Sequence, residues 1–213
     1  MTNNLVHDFK IAFIKHKIEE QFYERTGKIL GKTNYSVVTG PDYERHINNA
    51  EKYLDLSSSP HIYEINTDIF IDIYSHYKST KVKVFNKSIE TAKSRFIDCD
   101  LTCISDGDTI FNTLLNQIKH LSSSANQTKA FIFSMSPRSK NNTDIISIYR
   151  RVFGLLGNGV VKFGKKKSII IQDKHHYMIS IPIYMTKGRI LYYESYLYNT
   201  GGGPMYTCLI IYK

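Results

Sequence analysis

The sequence predicts an α+β protein: an antiparallel sheet with a C-terminal meander, packed by two or three helices, with an N-terminal helical arm. Three observations lead there. Between Ile62 and His76 the residues alternate, with Tyr63, Ile65, Ile69, Ile71 and Ile73 on one side and Glu64, Asn66, Asp68 and Asp72 on the other. That is the period of a half-buried strand. Residues 110–121 and 145–156 carry apolar side chains at helical spacing. From Val160 onward, short apolar runs follow one another across Lys- and Gly-bearing turns, which reads as consecutive hairpins.

Taken in order, residues 5–24 form the first helix. Leu5, Phe9, Ala12 and Phe13 share one face and Ile11, Ile14, Ile18 and Phe22 another. A helix with two apolar faces is either sandwiched within its own fold or offers one face to a second copy. Residues 26–60 are rich in breakers (Gly27, Gly31, Gly40-Pro41, Ser57 to Pro60), with a short helix near 42–55. The chain therefore divides into an arm, 1–60, and a main domain, 61–213. Lys81 to Phe85 and Phe96 to Ile104 read as strands, and Asp106-Gly107-Asp108 starts a helix with Ile110, Leu114 and Leu115 inward. "KAFIFSM" (129–135) is a strand, Thr143 or Asp144 begins another helix, and 189–198 and 205–212 pair across "NTGGGP".

At 213 residues, with 42% hydrophobic and 22% charged residues, the chain is long and apolar enough for a real core. Asp8, Lys10 and Lys15 interrupt any secretory apolar region. The three cysteines, Cys99, Cys103 and Cys208, are sparse and odd in number, which points to reduced thiols. The expected location is intracellular, cytoplasm or nucleus, with peripheral membrane attachment as the only membrane option.

Charge is segregated. Residues 130–190 hold eleven lysines and arginines against two acids, so the whole +9 excess of the chain lies in that stretch. Its densest point is "VVKFGKKKSIII" (160–171), a hairpin turn carrying Lys165, Lys166 and Lys167. With Arg150, Arg151, Lys162 and Lys174 these residues form a candidate polyanion-binding face. The alternative is a solvated face with no ligand.

Known catalytic patterns are missing. "TGKILGKT" (26–33) has Thr26 where a P-loop needs glycine, and it follows a helix. "GLLGNG" (154–159) closes a helix and does not open one, unlike a dinucleotide-binding turn. His175 and His176 are adjacent and point to opposite faces of a strand. Cys99 and Cys103 have no histidine pair to complete a zinc site, and Cys208 reads as a small buried residue. Asp68 and Asp72 have the spacing of a wet strand face or of a carboxylate pair for a metal. Tyr192, Tyr196 and Tyr198 share one strand face with Glu194, suited to base stacking or to cross-strand packing. No catalytic residue, metal site or cofactor is expected.

The order of elements over 62–213, "IYEINTDIFIDIY", "DTIFNTLLNQIKHL", "DIISIYRRVFGLLGN" and a meander from "RILYYESYLYN" to "MYTCLIIYK", resembles that of rhabdovirus matrix proteins. Such proteins are small, basic and intracellular, and join a ribonucleoprotein to an acidic membrane face. No Pro-Pro-x-Tyr stands near the N-terminus, a departure that removes the usual budding partners. The resemblance implies a non-enzymatic viral adaptor that binds nucleic acid, ribonucleoprotein or an anionic membrane through 130–190. Self-association would run through the 5–24 helix. Two rivals remain: an enzyme on a phosphate-bearing substrate (nuclease or nucleotide phosphodiesterase) using His175, His176, Asp68 or Asp72, and a viral antagonist that binds a host protein.

Overall fold

The computed structural model describes residues 3–32, 34–54, 59–100, 107–121, 128–135, 190–200 and 203–213. Along the chain these form α1 (Asn3–Thr26), β1 (Tyr35–Val38), α2 (Tyr43–Tyr53), β2 (His61–Tyr63), α3 (Thr67–Tyr77) and β3 (Lys83–Phe85). Then come β4 (Phe96–Asp100), α4 (Gly107–Leu121), β5 (Lys129–Met135), β6 (Ile190–Thr200) and β7 (Gly203–Tyr212). Single 3-10 turns lie at Gly40–Asp42 and Ile89–Thr91.

The described strands make one sheet in the order β3-β2-β1-β4-β5-β7-β6. β1 to β5 are mutually parallel, and β7 runs antiparallel to both β5 and β6. The expected antiparallel α+β architecture is therefore corrected to a mostly parallel α/β one. Parallel neighbours need crossover connections, and here α2, α3 and α4 supply them. The matrix-protein resemblance goes with it, since the described residues do not follow the element order on which it rested.

The largest misreading is 62–76. β2 stops at Tyr63, and Thr67–Tyr77 is helix α3. Asn66 caps it, its side-chain oxygen accepting from the N–H groups of Asp68 and Ile69 at 3.0 and 3.2 Å. Ile69, Ile73 and Tyr77 stand four residues apart and pack inward, which is helical spacing. Ile71 and Tyr74, on the other side, are exposed. The isoleucines at 65, 69, 71 and 73 satisfy period two only because their numbers are odd.

Both faces of the sheet are covered. On one, Ile11, Ile14 and Ile18 of α1, Ile47 and Ala50 of α2 and Ile73 of α3 pack against Tyr35, Val37, Ile62, Phe96, Ala130 and Ile132. On the other, Ile110 and Leu114 of α4 pack against Ile97, Cys99, Phe131, Phe133, Cys208 and Ile210. Apolar residues on consecutive strand positions, as in Phe131-Ile132-Phe133, are what a strand buried on both sides requires. α4, β5 and the β6–β7 hairpin form where the sequence predicts them. Cys208 is buried as expected.

α1 ends at a left-handed glycine: Gly27 has φ +65, and its N–H donates to the Tyr23 carbonyl at 2.8 Å. That is a helix C-cap, so the lysines and glycines of 26–33 are not a phosphate cradle. Across the opposite face, buried Gln117 of α4 donates to the carbonyls of Ser94, Arg95 and Ala130 at 3.0, 3.1 and 3.3 Å and accepts from the Tyr212 hydroxyl. One side chain thereby ties α4 to the strand entries of β4 and β5 and to the end of β7.

Candidate functional site

The strand order fixes where a site forms. From β1 the chain builds outward through β2 to β3, then returns to the other side of β1 to add β4 and β5. The helix after β1 lies on one face of the sheet and the helix after β4 on the other. The carboxyl edge between β1 and β4 is thus the place where the order of strands reverses, and open α/β sheets carry a crevice there. This is the topological switch point at which open α/β sheets bind ligands.

The residues at that edge are polar. The register pairs Val37 with Ile62 of β2 and Val38 with Cys99 of β4. Continued two steps past the first pair and one past the second, the register brings Glu64, Thr39 and Asp100 level beside three neighbouring strands. The alternation of the pleat puts all three on the α1/α2/α3 face. Glu64 is 6% exposed and its Oε1 accepts the Asn66 N–H at 2.7 Å. After Thr39 the chain turns at Gly40, φ +57, into Pro41 and Asp42. A side chain at position 40 would meet nothing within 4 Å, so the backbone angle, and not crowding, calls for glycine.

Beneath Asp100 lies a buried charged cluster built from three elements. Lys10 of α1, 2% exposed, places its ammonium 3.1 Å from Asp98 Oδ1 and 3.5 Å from Asp100 Oδ2, and donates to Ser134 Oγ at 3.5 Å. Ser134 and Thr207 link β5 to β7 through their hydroxyls at 2.7 Å. The Tyr35 hydroxyl donates to Asp98 Oδ2 at 3.3 Å. His46 of α2, also buried, sets Nε2 3.3 Å from Asp100 Oδ2. Burial pushes the Asp98 carboxyl above its ordinary range, against the pull of the Lys10 charge, and Asp100 adds to the rise. Burial also raises the Tyr35 phenol, with the Asp98 charge second. Asp100, its side chain 23% exposed, is the outermost of Lys10, His46, Asp98 and Asp100.

α2 begins at the crevice and carries Asp42 at its cap and Glu44 in its first turn. An open cavity of about 670 Å³ beside this turn is lined by Asp42, Glu44, Arg45, Asn49 and Asp72, among others. Among the described residues no group of His, Cys, Asp and Glu is arranged to hold a metal ion. No described helix is long and apolar enough to cross a membrane.

Of the residues singled out from sequence, Asp68 and Asp72 lie on helix α3 and not on a strand. Asp72 accepts the Tyr43 hydroxyl at 3.2 Å, and neither joins the crevice cluster. Tyr192 packs on Phe13 of α1 with ring centroids 6.0 Å apart and hydrogen-bonds Glu194. Arg150, Arg151, Lys162, Lys165, Lys166, Lys167 and Lys174 lie outside the described residues, as do Cys103, "GLLGNG", His175 and His176. Sequence reasoning missed Lys10, His46, Glu64, Asp98 and Asp100. A signal for part of this was present: strand "YSVV", a glycine turn, and an acid after the next strand, from Gly40 to Glu64.

Fold and crevice together define a doubly wound α/β protein with an acid-lined switch point. No family model matches this sequence, and no curated protein matches it. Among solved structures the chain is similar to the N-methyltransferase NodS from Bradyrhizobium japonicum WM9, at 8% identity and TM-score 0.46, covering 93% of each chain. It is similar to a SAM-dependent methyltransferase from Methanosarcina mazei at 11% identity and TM-score 0.48, covering 87% of this chain and 93% of that one. It is also similar to the plantazolicin methyltransferase BpumL, in complex with a substrate analogue and SAH, at 13% identity and TM-score 0.48, covering 97% and 85%. No residue role in this chain follows from these overlaps.

The functional readings drawn from sequence are corrected accordingly. The viral matrix-like adaptor rested on an antiparallel architecture, whereas the described strands form a mostly parallel sheet. Of the residues on which the phosphate-substrate enzyme drew, Asp68 and Asp72 are helical and do not form a strand-borne carboxylate pair, and His175 and His176 lie outside the described residues. The host-antagonist reading was drawn for the same antiparallel architecture, which the mostly parallel order of the described strands replaces.

Proposed function

We propose that the chain binds S-adenosylmethionine in the crevice between β1 and β4 and transfers its methyl group to a nucleophilic substrate. The observation that carries this is Glu64 at the tip of β2. It is a buried carboxylate at the level of Thr39 and Asp100, 24 positions after Gly40. In doubly wound folds an acid at that place accepts the hydroxyls of a ribose. Ile65, which follows it, is 71% exposed and offers an apolar face to a base.

The rest of the crevice argues against phosphates. The turn after β1, Thr39-Gly40-Pro41-Asp42, has one glycine where a dinucleotide-binding turn has three. The α2 N-terminus, where a pyrophosphate would sit, carries Asp42 and Glu44. Asp100 adds a partly exposed acid on the β4 side, with Asp98 buried against Lys10 beneath it. The donor set therefore suits a nucleoside without phosphate and with a positive charge.

When bound, the sulfonium of such a cofactor makes its methyl group electrophilic. It would supply that methyl to a nucleophile, sulfur leaving with the bonding electron pair as a neutral thioether and the nucleophile's proton passing to solvent. The chain's own part is to hold the ribose through Glu64, seat the base against Ile65 and set Asp100 beside the positive centre.

Calorimetric titration of the full chain with S-adenosylmethionine, S-adenosylhomocysteine, NAD and ATP tests this. The two adenosyl compounds should bind, NAD and ATP should not, and Glu64→Ala should weaken adenosyl binding by roughly tenfold or more, the scale of a charge-assisted hydrogen-bond pair. Tighter binding of NAD or ATP, or unchanged affinity in Glu64→Ala, refutes the reading.

A further inference from the structure

We infer that the amino edge of the sheet, opposite the crevice, binds the phosphate backbone of a single-stranded nucleic acid. This goes beyond the cofactor reading and does not rest on it, because it concerns the other end of the strands and uses none of the crevice residues.

The argument starts from where the strands begin. Their entries stand side by side in the order β3-β2-β1-β4-β5. Lys83 opens β3, with Lys81 just before it, and the Lys83 N–H donates to the Pro60 carbonyl at the entry to β2 at 3.0 Å. Lys32 lies shortly before β1. Lys93 and Arg95 precede β4, where the Arg95 N–H donates to Asn34 Oδ1 at 2.7 Å. At β5 the end of α1 arrives: Arg25 Nη1 donates to Thr128 Oγ1 at 2.9 Å, and Lys28 follows in the next loop. Neighbouring strands lie about 4.8 Å apart, so the five entries span about 19 Å, over which one strand of nucleic acid presents about five phosphates at ~3.4 Å each.

Pairing sets these lysines apart. Away from this edge the bases have acids: Lys10 meets Asp98, Lys15 meets Glu19, Lys17 meets Glu20 and Arg45 meets Asp42. Lys28, Lys32, Lys81, Lys83 and Lys93 are exposed, and none pairs with a carboxylate among the described residues. Helix dipoles account for part of the charge, since the negative ends of the helices point to this edge and Arg25 and Lys52 occupy last turns. Lys32, Lys83 and Lys93 stand in loops or at the start of a strand and answer no helix end. Apolar surface lies beside the charge: Tyr23, in the last turn of α1, is 60% exposed, and Ile29, between Lys28 and Lys32, is 87% exposed. An exposed ring beside a line of unpaired cations is the combination by which single strands are held, a base stacking while the phosphates meet the charges. A lipid surface fits less well, because one isoleucine gives a bilayer little to bury. Asp42, Glu44, Glu64 and Asp100 gather at the opposite edge, so a polyanion is drawn to this end and away from the crevice.

Fluorescence anisotropy of a labelled oligouridylate of about 12 nucleotides, titrated with the full chain at several salt concentrations, tests this. Binding through the five lysines should weaken about a hundredfold between roughly 50 and 200 mM salt, a log–log slope near about −3.5 at ~0.7 per phosphate. Lys32→Gln, Lys83→Gln and Lys93→Gln combined should flatten the slope to about −1.4, and each change alone should flatten it by about 0.7. These side chains are exposed, so Tm should stay at the wild-type value. Tyr23→Ala should weaken binding by roughly tenfold and leave the slope as it is. Lys87→Gln, at an exposed lysine past the far end of β3, should change nothing. The inference is overturned if wild type leaves the oligonucleotide free at about 50 mM salt, or if the three-lysine variant keeps the wild-type slope, which would place binding elsewhere in the chain. It is overturned too if Lys87→Gln acts as strongly as Lys32→Gln, an effect of net charge alone, or if Tyr23→Ala binds as wild type does, which would leave a general polyanion face. Capture by phosphatidylserine vesicles without capture of the oligonucleotide would assign the edge to a membrane instead. None of these outcomes touches the cofactor reading, whose titration depends on other residues.

Discussion

Replacing Lys10 by methionine keeps most of the side chain's volume and removes its charge from a site with almost no water. The ammonium sits 3.1 Å from Asp98, and both side chains are essentially inaccessible. Removing one partner of such a buried pair costs about 3–5 kcal/mol, because the surviving charge is left without its counter-ion. Asp98 keeps the Tyr35 hydroxyl at 3.3 Å, which places the expected loss near the lower end, about 3 kcal/mol, or roughly 6–12 °C in Tm for a chain of this size. The loss should depend on pH. The folded Asp98 carboxyl already titrates above its ordinary 3.8 because of burial, and Lys10 opposes the rise. Without Lys10 it rises further. A carboxyl raised in the folded state contributes stability that is present below the unfolded value and is lost as pH climbs through the folded one. Lys10→Met should therefore lie closer to wild type at pH 5 than at pH 7. Urea unfolding followed by far-UV circular dichroism measures this, since the chain has no tryptophan. Lys10→Met with Asp98→Asn should be more stable than Lys10→Met alone, because the stranded charge is gone. A loss below about 1 kcal/mol for Lys10→Met, the range of exposed pairs, or strict additivity in the double variant, refutes the view that the pair acts as a buried unit.

Gln117→Leu preserves bulk but removes a donor from the carbonyls of Ser94, Arg95 and Ala130 and the acceptor of the Tyr212 hydroxyl, while the Arg95 carbonyl keeps the Ala130 N–H at 3.0 Å; it should cost about 2–3 kcal/mol in urea unfolding, and a loss under about 1 kcal/mol would remove Gln117 as a clamp. His61 titrates below its usual 6.5, first through burial and then through the Lys83 charge across the β2–β3 ladder. A base lowered in the folded state contributes stability above its unfolded value that is lost as pH falls, so wild type should lose stability relative to His61→Phe as pH drops below 6.5, and parallel pH profiles would contradict this. Gly40→Ala should cost roughly 1 kcal/mol from the left-handed backbone alone. No clash adds to that, since a side chain there meets nothing within 4 Å; a loss of several kcal/mol would mean that the turn is more crowded than described.

How much the sequence revealed depended on whether an element's neighbours were local. α4 was legible because its cap and its apolar stripe lie within one stretch, and the β6–β7 hairpin because its turn joins the two strands directly. β1 was not legible: four residues, "YSVV", become a central strand only through partners at 61–62 and 96–99. α3 was lost to a coincidence of spacing, although Asn66-Thr67-Asp68 carried a cap signal. The crevice cluster was the least accessible. Lys10, His46, Asp98 and Asp100 come from α1, α2 and β4, and nothing in the sequence ties position 10 to position 98. The near-misses weighed instead were all contiguous motifs, which is the kind of site a one-dimensional scan finds.

The placement of these acids follows from how parallel strands and helices alternate. Each helix that follows a strand starts at the carboxyl edge of the sheet, so its positive dipole end faces the crevice. Glu64 stands just before α3 and already accepts an N–H from the loop that leads into it. Asp42 and Glu44 occupy the corresponding end of α2. The fold's own dipoles thus favour ionised carboxylates at the place where many relatives in architecture bind phosphate instead. With α2's first turn supplied with negative charge from within the chain, an incoming phosphate meets repulsion and a cation meets attraction. Changing Asp42 and Glu44 together to Asn and Gln should then weaken S-adenosylmethionine more than S-adenosylhomocysteine, by several-fold at low salt and less at high salt, because these side chains are exposed and screened. Equal weakening of the two compounds would mean that the acids at α2 shape the crevice without selecting for charge, and would leave Asp100 to do so alone.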